Sequence, residues 1–116
     1  MGGLPEFCAW RPISRWVREK GEFMREKAVS RKIEDNDRVV MTEWRLAPGS
    51  ETGWHCHSMD YCIVYLTSAT FSIETKDGKR EVTLKSGESY FRKAGVEHNA
   101  INAGDKDIVF IETELK

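Results

Sequence analysis

From Arg38 onward, apolar and polar residues alternate in short runs bounded by turn residues. In RVVMTEWRL, Val40, Thr42, Trp44 and Leu46 fall on one face of an extended strand, because successive strand side chains point to opposite sides. YCIVYLT is short, apolar and rich in aromatic and β-branched residues, the composition of a strand. FSIET and REVTL flank the pair Asp77-Gly78, which favours a hairpin with a tight primed turn. SYFR, HNAIN and DIVFIETEL continue the series, with Gly49, Gly87, Gly95 and Gly104 at turns. Seven or eight short strands with almost no helix predict a β-sandwich or barrel over residues 38–116.

Residues 1–37 have no such grammar. They read as a charged N-terminal arm with one short helix or partial disorder. Ile13, Trp16, Val17 and Phe23 mark an amphipathic turn or two, with Ser14 as N-cap and Gly21 as stop.

Composition narrows the class. The chain has 116 residues, 40% hydrophobic and 32% charged, as in one soluble globular domain. A net charge of −1 gives no general attraction to nucleic acid or to an anionic membrane. No apolar run approaches the roughly 20 residues that span a bilayer. The N-terminus MGGLPEFCAWRP carries no apolar h-region, and three cysteines, an odd number, point to reduced thiols; the expected location is cytoplasmic.

The candidate chemistry lies in three histidines. His55 and His57 are two apart, so on a strand they share a face, with Cα atoms roughly 7 Å apart, close enough for two imidazoles to meet one ion. Cys56 between them points the other way. His98 lies far along the chain, after the Ala94-Gly95 turn, and a jelly roll is a fold that unites it with the other two.

The flanking residues resemble the two motifs of the cupin family. The first runs Gly, five residues, His-x-His, three or four residues, Glu, six residues, Gly. Here it is Gly49-SETGW-His55-Cys56-His57-SMD-Tyr61-CIVYLT-Ser68. The second runs Gly, five residues, Pro-x-Gly, two residues, His, three residues, Asn, and here it is Gly87-ESYFR-Lys93-Ala94-Gly95-VE-His98-NAI-Asn102. Gly49, His55, His57, Gly87, Gly95, His98 and Asn102 fall in register. More narrowly, RVVMTEWRLAPGSETGWHCHSMDY and SYFRKAGVEHNAIN look like small single-domain bacterial cupins, some labelled β-alanine degradation proteins. The resemblance implies a jelly-roll β-barrel, a homodimer formed by sheet packing, and a divalent transition metal on His55, His57 and His98.

The departures carry information as well. Tyr61 stands where the family has its glutamate ligand, Ser68 at the second glycine and Lys93 at the proline. Three neutral imidazoles would leave the ion's charge uncompensated, favouring an anionic or chelating ligand. Tyr61 is expected beside the site as a hydrogen bonder, pocket wall or further ligand. Arg92 is a candidate carboxylate clamp, equally readable as an outward surface arginine. Tyr65, Tyr90 and Asn102 are further candidate substrate-binding residues. Imidazole ligation suits Fe, Ni, Cu and Zn, with Mn also admissible, and cannot rank them. The analogy to three-histidine cupin dioxygenases favours Fe(II).

No Gly-rich phosphate loop, Cys-x-x-Cys pair or nucleophile elbow is present, and no histidine is left over for a catalytic nucleophile. The expected function is that of a metal-dependent enzyme on a small anionic organic substrate, at its sharpest an iron-dependent dioxygenase. The alternatives are a binding or sensing module without turnover, and a non-redox metal isomerase or decarboxylase.

Overall fold

The computed structural model describes residues 25–116, which form an all-β jelly roll. In chain order the strands are β1 (Val29–Asp35), β2 (Val39–Leu46), β3 (His55–Cys56), β4 (Asp60–Tyr65), β5 (Ala69–Thr75), β6 (Gly78–Leu84), β7 (Ser89–Arg92), β8 (Glu97–Asn102) and β9 (Ile108–Leu115). They make two antiparallel sheets, one ordered β1-β2-β9-β4-β7 and the other β3-β8-β5-β6. The sheets face each other and are not stitched into one closed hydrogen-bonded barrel. No helix of the described residues is long and apolar enough to cross a membrane.

The alternating pattern decides which faces meet. On β4, Tyr61, Ile63 and Tyr65 are buried, while Val64 between them is 41% exposed. Leu46 from β2, Phe71 from β5, Ala100 from β8, and Ile108 and Phe110 from β9 join them in one core. Burying each large apolar side chain contributes about 1.5–3 kcal/mol. The rings of Tyr65, Phe71 and Phe110 touch pairwise at centroid distances of 5.4–6.3 Å. Such pairs add about 0.5–1.5 kcal/mol each beyond their buried area.

Two expectations shift in detail. The sheet begins at Val29 rather than Arg38, so part of the charged arm forms β1. It pairs with β2 through its backbone although all seven of its residues are exposed. Its polar side chains, as in the 2.6 Å Arg31–Glu43 ion pair, hid it from a hydrophobic pattern. The β5–β6 hairpin turns at Lys76-Asp77, because Thr75 pairs with Gly78. Gly78, at φ +132°, is the first residue of β6, a conformation that a side chain would strain. The expected helix around Ser14–Gly21 lies outside the described residues.

Candidate metal centre

β3 and β8 pair antiparallel with His55 directly opposite His98. The ladder runs on past β3: the His57 amide donates to the Val96 carbonyl at 2.8 Å, and the Gly95 amide donates to the His57 carbonyl at 2.7 Å. The turn at Gly95, φ +107°, therefore clamps the segment that carries His57. Cys56 lies opposite Glu97. Cys62 carries a free thiol, and Cys8 lies outside the described residues.

The three rings converge. His57 Nε2 lies 3.1 Å from His55 Nε2 and 3.3 Å from His98 Nε2. Burial drives their pKa values down: His57 to about 2 with help from the His55 and His98 rings, His98 to about 3 with help from His55 and Arg80, and His55 below its usual value against a hydrogen bond to Gly53. All three are neutral at working pH, the state a ligand needs. His55 Nδ1 is 2.7 Å from the Gly53 carbonyl, which can only accept, so Nδ1 carries the proton and Nε2 a lone pair. His57 Nδ1 faces a Glu112 carboxylate oxygen at 3.5 Å; a proton on Nδ1 toward that carboxylate would leave the His57 lone pair on Nε2 likewise. Two lone pairs 3.1 Å apart repel unless a cation lies between them. An ion about 2.0–2.1 Å from each nitrogen, with bond angles of about 90–110°, needs nitrogens about 3.0–3.4 Å apart. The observed spacings fit.

The loop before His55 is held by Asn99. Its Oδ1 accepts from the Gly53 amide at 2.9 Å, and its Nδ2 donates to Glu51 at 2.9 Å and Glu74 at 3.1 Å. Asn99 is thus the structural partner of the Gly53–His55 turn, a role its position beside His98 did not reveal.

The histidines open onto a cavity of about 320 Å³ between the sheets, floored by Phe71 and Phe110. Tyr61 lies flat on His57, centroids 3.9 Å apart and planes 14° from parallel, and burial holds its hydroxyl well above the usual pKa. Tyr65 and Tyr90 share a hydroxyl–hydroxyl contact of 3.0 Å in the wall. Arg92 is exposed and does not line the cavity; its guanidinium stacks over the Tyr90 ring at 4.2 Å, on the rim. Asn102 is 2% exposed and spends its polar atoms on backbone: Nδ2 donates to Leu46 O and Lys106 O, and Oδ1 accepts from Gly104 N. It lies outside the cavity wall, a strut rather than a substrate contact.

Two residues missed by the motif comparison are Glu112 and Glu114 on β9. In the sheet, Glu112 sits between Thr42 and Ile63, and Glu114 between Val40 and Tyr61. Both carboxylates line the cavity, and with His57 they form a second group of ligating atoms within 4.8 Å of one another. Burial raises the Glu112 pKa to about 7 and that of Glu114 above its usual value. The expectation of an ion with no nearby carboxylate therefore does not hold. Glutamate is absent at Tyr61 but present two strand positions apart on the adjacent strand. The signal available was parity: Ile108, Phe110, Glu112 and Glu114 share one face of β9.

Comparison with known proteins agrees with this architecture. Residues 42–114 match the Cupin domain family model. The chain is 53% identical over 92 residues to the Beta-alanine degradation protein BauB of Pseudomonas aeruginosa, covering 79% of this chain and 97% of that protein. It is 27% identical over 99 residues to an oxalate-binding protein of Thermotoga maritima, covering 85% and 80%. Among solved structures, a cupin domain from Bordetella pertussis superposes with a TM-score of 0.79 at 47% identity, covering 82% of this chain and 99% of that one.

Proposed function

The chain belongs to the cupin family, and from that premise we propose that it is a metal-dependent enzyme acting on a small organic molecule. The observation that carries the reading is the convergence of the His55, His57 and His98 Nε2 atoms, with His57 Nε2 at 3.1 Å and 3.3 Å from the other two, an ion-bridging distance. His55, His57 and His98 would hold a divalent transition ion, Fe(II) in the sharpest version, which would supply a Lewis acid and, for iron, redox chemistry with oxygen.

The chain's own residues do the rest. Phe71 and Phe110 exclude water from the cavity floor. The Tyr65–Tyr90 hydroxyl pair offers one hydrogen-bond partner to a ligand in the cavity. Arg92 on the rim is poised for the acidic end of a substrate longer than the cavity, over the Tyr90 ring. With Glu112 and Glu114 offsetting the ion, the ligand's acidic group is expected to bind as a chelate rather than by net charge alone. The name of the BauB relative, a β-alanine degradation protein, supports a short carboxylic acid as substrate class.

The test is to load the protein with Fe(II), confirm the iron content, and follow oxygen uptake against short carboxylates, thiols and diketones. Uptake with one class, abolished in His98→Ala, is the expected result. An iron-loaded protein that consumes no oxygen with any of them rejects the dioxygenase version. A second reading is favoured by the relative named as an oxalate-binding protein: the site binds a small dicarboxylate without turnover. Thermal stabilisation by oxalate that is recovered unchanged would select it.

A further inference from the structure

The carboxylate missing at Tyr61 is replaced at one remove. We propose that Glu112 is a positioning residue for His57: it accepts the Nδ1 proton, fixes the tautomer that presents Nε2 to the ion, and passes its negative charge to the metal through the ring. The inference rests on the reading of the three histidines as metal ligands.

Four observations converge on it. The Glu112 Oε2–His57 Nδ1 contact is 3.5 Å, between side chains only 9% and 7% exposed. The other carboxylate oxygen accepts from Trp44 Nε1 at 3.2 Å, which anchors Glu112 and leaves Oε2 for the imidazole. Tyr61 stacks on the His57 ring, so the ring cannot swing away from the carboxylate. The flanking ladder residues, Thr42 and Ile63, bear no charge, and His57 is the basic group with which Glu112 pairs among the described residues.

The bland reading is that Glu112 serves Trp44 alone. A glutamine would accept that indole bond equally well without burying an ionisable group, which is unfavourable when left unpaired. A buried carboxylate is intelligible when a cation lies along its hydrogen bond, and the converging Nε2 atoms mark where that cation belongs. Carboxylate–histidine–metal chains of this kind orient the ring and raise its basicity.

The experiment uses the full chain and Co(II), read by its visible spectrum, with affinity from competition against a chromophoric chelator. Glu112→Gln is compared with Glu114→Gln, which removes a carboxylate from the same wall but leaves the Glu112–His57 pair in place. One ion per chain is expected throughout, with Glu112→Gln weakening Co(II) binding about 10- to 100-fold and Glu114→Gln, which loses only charge in the wall, weakening it clearly less than Glu112→Gln does. The Co(II) band is expected to shift in the first variant only. Should Glu112→Gln not fold, Glu112→Asp, which withdraws the carboxylate by one methylene, is expected to weaken binding in the same direction.

Equal affinity for Glu112→Gln and the parent overturns the proposal, as do equal losses in the two variants. Two ions per chain, falling to one in either variant, would overturn it by making Glu112 and Glu114 direct ligands of a second ion. His98→Ala separates the levels. If His98→Ala binds Co(II) as the parent does, the three-histidine reading itself fails. If His98→Ala loses the ion while Glu112→Gln keeps it, only the role given to Glu112 fails.

Discussion

Asn102 lies in register with the cupin motif's final asparagine, and two roles compete for it: a contact to substrate, or a strut. The substitution Asn102→Ala separates them. It deletes two donated bonds, to Leu46 O at 2.9 Å and Lys106 O at 2.8 Å, and one accepted from Gly104 N at 2.9 Å. Each such bond contributes about 1 kcal/mol net, and buried groups left unpaired raise the cost, so the expected loss is about 3–5 kcal/mol. That is a large share of the 5–15 kcal/mol that holds an ordinary domain together. At roughly 4 °C per kcal/mol for a chain of this length, Tm should fall by about 12–20 °C. Urea unfolding of the metal-free protein gives the free energy directly, because the midpoint moves at constant slope when stability alone has changed. Asn102→Asp is expected to lose at least as much at pH 7, since a carboxylate then faces two carbonyl oxygens. Ion affinity in the folded fraction is expected to stay that of the parent. A Tm drop under about 4 °C, which is about 1 kcal/mol, together with weakened ligand binding, would refute the strut and return Asn102 to the cavity.

Two further outcomes follow from the site. Tyr61→Phe keeps the ring on His57 and removes only a hydroxyl that burial holds protonated; ion affinity measured by chelator competition should change by less than about threefold, and a loss beyond tenfold (about 1.4 kcal/mol) would make Tyr61 a ligand. The metal-free protein should lose stability as pH falls from 6.5 toward 4.5. The folded-state pKa values of His55, His57 and His98 are depressed below 6.5, so the unfolded chain takes up protons there that the folded one refuses. Glu112 opposes this with a pKa raised from 4.5 to about 7, stabilising the folded state toward acid over the same window. Glu114, also raised by burial, acts in the same sense as Glu112; His57 and His98, the two most strongly depressed imidazoles, outweigh Glu112 below about pH 6, where the unfolded histidines are mostly protonated and Glu112 has nearly finished titrating, so the net effect there is a loss of stability toward acid. Urea midpoints at pH 6.5, 5.5 and 4.5 measure it, and a midpoint that is unchanged or higher at pH 4.5 contradicts the assignment.

Much of the molecule was legible because strand grammar is local. Alternation in RVVMTEWRL and YCIVYLT tells which side chains turn inward, since successive residues of any strand face opposite ways. The two motifs marked His55, His57 and His98 before any coordinates, because a turn glycine and a ligand histidine at fixed spacing are both written along the chain. β1 was not legible: all its residues are exposed and its stability comes from backbone pairing with β2, which leaves no hydrophobic trace. The turn of the β5–β6 hairpin moved by one residue, because cross-strand register set Thr75 opposite Gly78.

By itself, then, the sequence determined the strand class, the inward face of most strands, and the three imidazoles that belong together. Which other side chains those imidazoles meet was decided only by the tertiary structure. Glu112 is more than fifty residues from His57 along the chain, and the parity of β9 says only that it shares a face with Phe110. That this face closes over the histidines follows from β9 lying between β2 and β4, a pairing of distant segments. Pairing also places Trp44 on one oxygen of Glu112 and leaves the other beside His57. The identity of the ligands is a local property. Their charge environment is a property of the sheet, because electrostatic contact depends on distance in space rather than on spacing along the chain.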